Sequence, residues 1–381
     1  MSWIQSFYKT KNLTNNGLFI IGFSVILLVV GLLIPETPVK GFENQLGHLS
    51  GLNLKFNDTP EVSEFIGSIK RNNGYLILGT SESTSITGGN YYTYLNNDKY
   101  FGTAKFSVLA GAGRTCGLHL PVLLTHKEEV KNLNVIYFIN PVYWRSGLNK
   151  ITESYWNRYT NYQVINSIDE KDKNQLSWFP LEKYSSKLNV IQKGMQSSEY
   201  WLRNLRENYF NNLRYWLSPS KYKEGFNFIS KSEQNDYSSF DFTEIKNLDK
   251  MDTNFNVLKS FKDKHWFNVI YQDETYRYEE LQSFITVCKN LGIHATFVLG
   301  PVNNRFIQSY QPQALASYNQ TTDNIRELLI SNNVNYVDAS DISDELGAFN
   351  DHQHHSAYGA YLIYLKIKAN FHEEIFASHT N

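Results

Sequence analysis

The run Tyr75-Leu76-Ile77-Leu78-Gly79-Thr80-Ser81-Glu82-Ser83 sets a serine just past a compact apolar segment. Such a segment suits a buried strand, and open α/β sheets gather reactive groups at the carboxyl ends of their strands. Gly79 permits a tight turn, and a helix starting there would aim its N-terminal amides at charge near Ser81. A serine in that position is also a common helix cap, and Ser83 and Ser85 are equally available for the task. A partner stands near the other end of the chain, in Asp351-His352-Gln353-His354-His355-Ser356-Ala357-Tyr358-Gly359. Asp351 and His354 are three residues apart, which in a turn lets the carboxylate reach imidazole Nδ1 and leaves Nε2 as a base toward a hydroxyl. Ser81, His354 and Asp351 together therefore suit nucleophilic acyl chemistry. An aspartate so close before its histidine sets this arrangement apart from the trypsin-like and α/β-hydrolase ones. Three histidines and an aspartate in one short loop also suit a metal, but no second ligand cluster accompanies them, and no metal is assigned. A loop merely decorated with histidines is the third reading.

The elements that must position these groups alternate in type. Tyr75–Leu78, Val135–Ile139, Ala295–Leu299 and Val334–Val337 are short apolar runs of strand length. Helical patterns over Glu279–Asn290 and Thr322–Ile330 precede the last two, and another helix is expected from about Ala357. This alternation predicts a parallel sheet covered on both faces, a three-layer α/β/α arrangement. Residues 150–265 differ, being rich in Asn, Ser, Lys and Tyr without clear buried strands, and read as a helical insertion. Its best element is Ser198–Leu217, with Arg203, Arg206 and Arg214 lying off the apolar stripe. They form a solvated face, or else they meet an anionic substrate through bidentate guanidinium contacts.

The chain has 381 residues, 41% hydrophobic and 19% charged, enough apolar material for a sizeable core and too much for bulk disorder. Thirty-six basic residues against 37 acidic ones leave a net charge of -1, which removes the electrostatic case for nucleic-acid binding. Cys116 and Cys288 are too few for a disulfide scaffold, and two buried thiols is preferred to one disulfide. A mean hydropathy of -0.42 excludes a polytopic membrane protein. One segment departs from that average. Gly17–Ile34 runs eighteen residues without a charge, nearly the length needed to cross a hydrocarbon core of ~30 Å at ~1.5 Å per residue. No small-residue cleavage site follows, so the segment reads as an uncleaved transmembrane anchor. Lys9 and Lys11 before it favour a cytoplasmic tail at 1–16. Residues 35–60 then form a juxtamembrane stretch, and 61–381 an extracytoplasmic catalytic domain on the outer face of the cytoplasmic membrane.

Gly79-Thr80-Ser81-Glu82 and Asp351-x-x-His354-x-Ser356-x-x-Gly359 resemble the first and last blocks of the SGNH hydrolases. Within that class the resemblance is to the DltD family, the membrane-anchored D-alanyl transfer proteins of teichoic acid D-alanylation. Gly111-Ala112-Gly113-Arg114 sits where that family has a Gly-rich turn. Phe138-Ile139-Asn140-Pro141-Val142-Tyr143-Trp144 resembles its proline-containing strand exit, and Gly300-Pro301-Val302-Asn303 its Pro-Val-Asn segment. The likeness extends, with gaps, over most of residues 17–370. One departure is Asn140-Pro141-Val142-Tyr143 in place of the family's Ser-Pro-Gln-Trp. The resemblance implies an SGNH-hydrolase-like, flavodoxin-like sheet and a serine acyltransferase or esterase acting without a cofactor. It implies an oxyanion hole built from the amides of Ser81 and Gly113 (or Gly111) and the side chain of Asn140, although an Asn before Pro also simply opens turns. Implied partners are the pathway's membrane-bound O-acyltransferase, a D-alanyl carrier protein or small acyl-bearing subunit, and a teichoic acid acceptor. An O-acetyltransferase or esterase for another surface polysaccharide, and a non-catalytic anchored scaffold, are the competing functions.

Overall fold

The computed structural model describes residues 60–83, 90–145, 155–156, 159–160, 162–179 and 276–379, with further helical residues at 17, 19–26, 190–191, 194–195 and 217. Residues 41–193 and 228–381 make one compact unit, and residues 1–40 and 194–227 another.

The larger unit contains five strands: β1 (Tyr75–Gly79), β2 (Phe106–Ala110), β3 (Asn134–Ile139), β4 (His294–Leu299) and β5 (Asn335–Asp338). They form one sheet in the order β2-β1-β3-β4-β5 with every pairing parallel, the flavodoxin-like order expected of a doubly wound sheet. Four of the strands are the expected ones. β2 was not anticipated, because Ser107 interrupts its short apolar run, yet it supplies the edge next to β1.

Successive side chains on a strand point to opposite faces, and the two faces carry separate cores. On one, Leu76, Leu78, Val135, Tyr137, Phe297 and Leu299 pack with helices α1 (Pro60–Arg71), α3 (Cys116–Thr125), α4 (Tyr276–Asn290) and α6 (Pro312–Ser331). On the other, Ile77, Val108, Ile136, Phe138 and Val298 pack with α2 (Tyr91–Asn97) and α7 (Ala357–His379). Each such side chain contributes roughly 1.5–3 kcal/mol by leaving water. The three-layer expectation is met. Between β4 and α6 lies the short α5 (Asn304–Tyr310), packed by Phe306 and Ile307 against Val142 and Val302.

Part of the expected insertion belongs to this body. Trp156, Tyr159, Ile165, Leu176, Trp178 and Phe179 are buried in the core that holds α3 and α4. Ser198–Leu217, apart from Leu217, lies outside the described residues, as do Arg203, Arg206 and Arg214. Cys116 and Cys288 are both buried and both free. Of the expected anchor, residues 19–26 are helical with Phe19, Ile20, Ile21 and Phe23 exposed, and residues 27–34 lie outside the described set. Among the described residues, no helix is long and apolar enough to cross a membrane.

A buried ion pair fixes the loop after β2. Glu280 on α4 accepts from Arg277 Nη1 at 2.6 Å, from Gly117 N at 2.6 Å and from the Thr115 hydroxyl, with both charged side chains 1% exposed. The carboxylate thus sits on the amide end of α3, where the helix dipole favours an anion. Gly117 is required for this approach, since a Cβ there would lie 2.3 Å from the Trp178 ring. Removing one member of such a pair strands a buried charge. Glu280→Ala is therefore expected to lower stability by ~3–5 kcal/mol, read as a shift of the urea unfolding midpoint. A midpoint unchanged from wild type would show the pair to be dispensable.

Candidate active site

Ser81 stands at the exit of β1 and opens a 3-10 turn, Ser81–Ser83, beyond which residues 84–89 lie outside the described set. Ser83 N–H closes the turn on Thr80 O at 3.1 Å. The chain leaves the sheet sharply because Gly79 has no side chain: a Cβ there would lie 2.6 Å from Ser83 Oγ and 3.3 Å from Phe138 Cβ. Asn90 caps α2, accepting from Tyr91 N–H at 2.7 Å, while Ser83 Oγ pairs with Tyr91 Oη at 2.7 Å.

The acid–base partners come from the loop between β5 and α7. Asp351 Oδ1 accepts the backbone N–H groups of Gln353 at 2.9 Å and His354 at 2.7 Å, folding the loop into a turn around the carboxylate. Asp351 Oδ2 lies 2.7 Å from His354 Nδ1, and His354 Nε2 lies 2.9 Å from Ser81 Oγ. With Nδ1–H donated to Asp351, Nε2 carries the lone pair that receives the serine proton. The structure thus brings together all three residues expected from the spacing.

The remaining residues of that motif hold the loop. Ser356 Oγ accepts Gly359 N–H at 3.1 Å and donates to Gly347 O, so it caps α7 and ties the loop's two ends. Gly359 is needed because a Cβ would lie 2.1 Å from Ala348 O. Asn303, after β4, donates to Asp351 O at 2.8 Å and accepts Phe306 N–H at 3.0 Å, capping α5 while steadying the turn. The other two histidines do not decorate an exposed loop. His355 is buried, 2.9 Å from Asn90 Oδ1 and tilted against Tyr91 and Phe138. His352 is buried beside Phe306, with Nδ1 3.7 Å from Asp351 Oδ1.

Electrostatics separates these groups. Burial would raise the Asp351 carboxyl, but the His354 hydrogen bond and charge and the two backbone N–H groups bring it down to about 2. Burial would lower His354, and the Asp351 hydrogen bond together with the charges of Glu82 and Asp351 overcomes it, lifting the imidazole above its ordinary range. His355 is pushed down to about 3 by burial and then by the His354 charge, so it stays neutral.

Of the residues expected in the oxyanion hole, Ser81 lies just past the end of β1 and Gly113 on the turn after β2, the strand paired with β1, where it adopts φ 68°. A side chain there would meet Tyr155 at 2.4 Å as well as the strain of that φ. Asn140 is buried at the exit of β3; its Oδ1 accepts Val142 N–H at 2.9 Å and its Nδ2 donates to Glu82 Oε1. Two neighbours of Ser81 were not anticipated. Tyr143 Oη lies 3.1 Å from Ser81 Oγ, and Gln353 Nε2 lies 3.4 Å from Ser81 Oγ and 3.3 Å from His354 Nε2. A tyrosine at a strand exit and a glutamine inside the Asp-x-x-His spacing do not by themselves point to Ser81 in sequence.

Residues 249–363 match the family model described as DltD protein. The match supports a DltD-family assignment. It includes β4, Asn303, Asp351 and His354, while Ser81 and the first three strands fall outside it. No curated protein sequence matches the chain. Assignment to the DltD family implies a part in teichoic acid D-alanylation.

The geometry makes a pH prediction for this site. His354 must be neutral to accept a proton, so phosphonate labelling of Ser81 should rise with pH along a limb above the ordinary imidazole range. Asp351→Asn should move that limb to lower pH and slow labelling by up to ~10⁴-fold, because the wrong tautomer then faces the serine. His355→Ala should instead lower thermal stability and leave labelling of the folded fraction nearly intact. Labelling kinetics across pH decide both; a limb unmoved by Asp351→Asn would dissociate Asp351 from the base.

Proposed function

We propose that the chain is a membrane-anchored, extracytoplasmic serine acyltransferase or esterase that handles D-alanyl esters in teichoic acid D-alanylation through an acyl-Ser81 intermediate. The observation that carries this reading is the continuous path from Asp351 Oδ2 to His354 Nδ1 at 2.7 Å and from His354 Nε2 to Ser81 Oγ at 2.9 Å.

In the first half-reaction His354 Nε2 takes the Ser81 proton as Oγ bonds to the D-alanyl carbonyl carbon. The carbonyl π pair moves onto oxygen, where the N–H groups of Ser81 and Gly113 and the second N–H of Asn140 Nδ2 stabilise it. Collapse of the tetrahedral species expels the donor's oxygen or sulfur, which leaves with the proton held on His354. The second half-reaction repeats these steps in reverse, with a polymer hydroxyl giving transfer or water giving hydrolysis. Asp351, held anionic by its turn, keeps the imidazole in one tautomer and stabilises its cation.

Residues 17–34 would anchor the domain at the outer face of the cytoplasmic membrane. There it meets the pathway's membrane-bound O-acyltransferase, the D-alanyl carrier protein or small acyl-bearing subunit, and the teichoic acid acceptor. No cofactor enters this scheme.

Intact-mass analysis of the full-length protein mixed with D-alanyl esters and thioesters tests the chemistry. A D-alanyl adduct on the peptide containing Ser81 is expected, absent in Ser81→Ala at unchanged thermal stability. An acetyl adduct from acetyl donors alone would transfer the assignment to an O-acetyl enzyme for another polysaccharide. No adduct from any donor, with function in cells preserved in Ser81→Ala, would leave a scaffold. For location, a reporter fused to the C-terminus should be active only outside the cytoplasmic membrane; activity of a cytoplasm-only reporter would overturn the orientation.

A further inference from the structure

One carboxyl group in the site has no role in the scheme above. Glu82 follows the nucleophile directly, yet its side chain is turned inward and is 1% exposed. Its two oxygens are held separately: Thr80 Oγ1 donates to Oε2 and Asn140 Nδ2 to Oε1. Its backbone is held as well, with Glu82 O accepting Asn90 Nδ2 at 2.8 Å. We propose that Glu82 is a positioning residue of this site, whose carboxylate aims the Asn140 amide and stabilises the imidazolium that forms on His354; the proposal rests on the acyl-serine reading.

Three observations carry it. The first is the cost of a carboxylate in a water-free position, where an ionised group needs a compensating cation or several donors. Among the described residues, the side-chain donors to the Glu82 carboxylate are a hydroxyl and an amide, and the cation acting on it exists only when His354 is protonated. The second is connectivity. Asn140 Oδ1 sets the turn after β3 through Val142 N–H while Nδ2 holds Glu82, so the amide is fixed at both ends. A donor locked before the reaction stabilises an oxyanion without reorganising. The third is electrostatic. Among the described residues, the ionisable groups acting on Glu82 are His354 and Asp351 from the loop before α7; Tyr91 on α2 is in turn affected by Glu82. Burial raises the Glu82 carboxyl to about 7, opposed first by the His354 charge, and the Glu82 charge in turn raises His354. Two groups coupled in this way titrate as a pair, so the acid limb of the reaction belongs to both.

Glu82→Gln separates charge from shape. The amide oxygen can still accept from Asn140 and the amide nitrogen can donate to Thr80 Oγ1, while the charge is lost. The His354 ring titration, followed by NMR on the full-length protein with labelled histidine and assigned through His354→Ala, should move to lower pH in Glu82→Gln. Phosphonate labelling of Ser81 should slow about tenfold, less than the ~10²–10³-fold typical of losing an oxyanion donor outright, and its acid limb should move down in step. The thermal midpoint should not fall, because a neutral amide is easier to bury than a carboxylate. An unmoved His354 titration, or unchanged labelling with an unchanged limb, would overturn the proposal and leave Glu82 a packing residue. Should Glu82→Gln fail to fold, Thr80→Val removes a donor to the carboxylate and favours its protonated form. It should shift the His354 titration the same way by a smaller amount, and no shift would again overturn the proposal. Failure of Ser81 to label in wild type would sink the acyl-serine reading instead, and the ring titration would still decide whether Glu82 is coupled to His354.

Discussion

Everything in the site depends on how the Asp351 carboxylate divides its two oxygens. Oδ1 takes the backbone N–H groups of Gln353 and His354, and Oδ2 takes the imidazole. One side chain therefore shapes the loop and orients the base at the same time. A carboxylate with only the imidazole to hold would leave the ring free to swing, since a three-residue separation by itself fixes no direction. The backbone contacts make the turn rigid, and the hydrogen bond from Asn303 to Asp351 O anchors that turn to the exit of β4.

The parallel sheet explains why residues so distant in sequence meet. In parallel strands all carboxyl ends lie along one edge, and register keeps them level: Gly79 pairs with Ala110, and Ile139 with Leu299. The exit of β1 supplies Ser81, that of β2 the Gly113 turn, that of β3 Asn140 and Tyr143, and that of β4 Asn303. The loop after β5 then needs only to return over this edge to bring His354 to Ser81. Its return path is set by α7, which packs on α2, and by the cap at Ser356.

The sequence made part of this legible. Four strands showed as short, largely apolar runs, and Ser81, His354 and Asp351 were visible because their chemistry is carried by residue type and, for the last two, close spacing. β2 was missed because periodicity over Phe106–Ala110 is broken by Ser107, a polar residue that the sheet buries at 0% exposure. Tyr143 and Gln353 were missed for another reason. Tyrosine at a strand exit and glutamine between two histidines carry no signal of their own, and their contacts to Ser81 span 62 and 272 residues of chain. Only the fold decides such contacts. The third reading of the loop, histidines that merely decorate an exposed surface, fails at His352 and His355, which are both buried. The loop instead turns both inward, because the antiparallel bridge between Phe349 and His355 places the latter over the core.

Behind the reactive edge lies a layer of buried polar side chains that satisfy one another. Asn90 joins the Glu82 carbonyl, the start of α2 and His355; Asn140 joins Glu82 and the turn carrying Tyr143; Thr80 joins Glu82. Each of these groups would cost free energy if stranded, so the layer is stable only as a whole. Substitutions within it are therefore coupled: losing Asn90 exposes His355 and the Glu82 backbone together, and losing Glu82 releases Asn140. Effects that share a partner do not add. The same property gives the site its rigidity. Ser81, at the end of a short strand, has little covalent restraint of its own, and this layer fixes its neighbours Thr80 and Glu82.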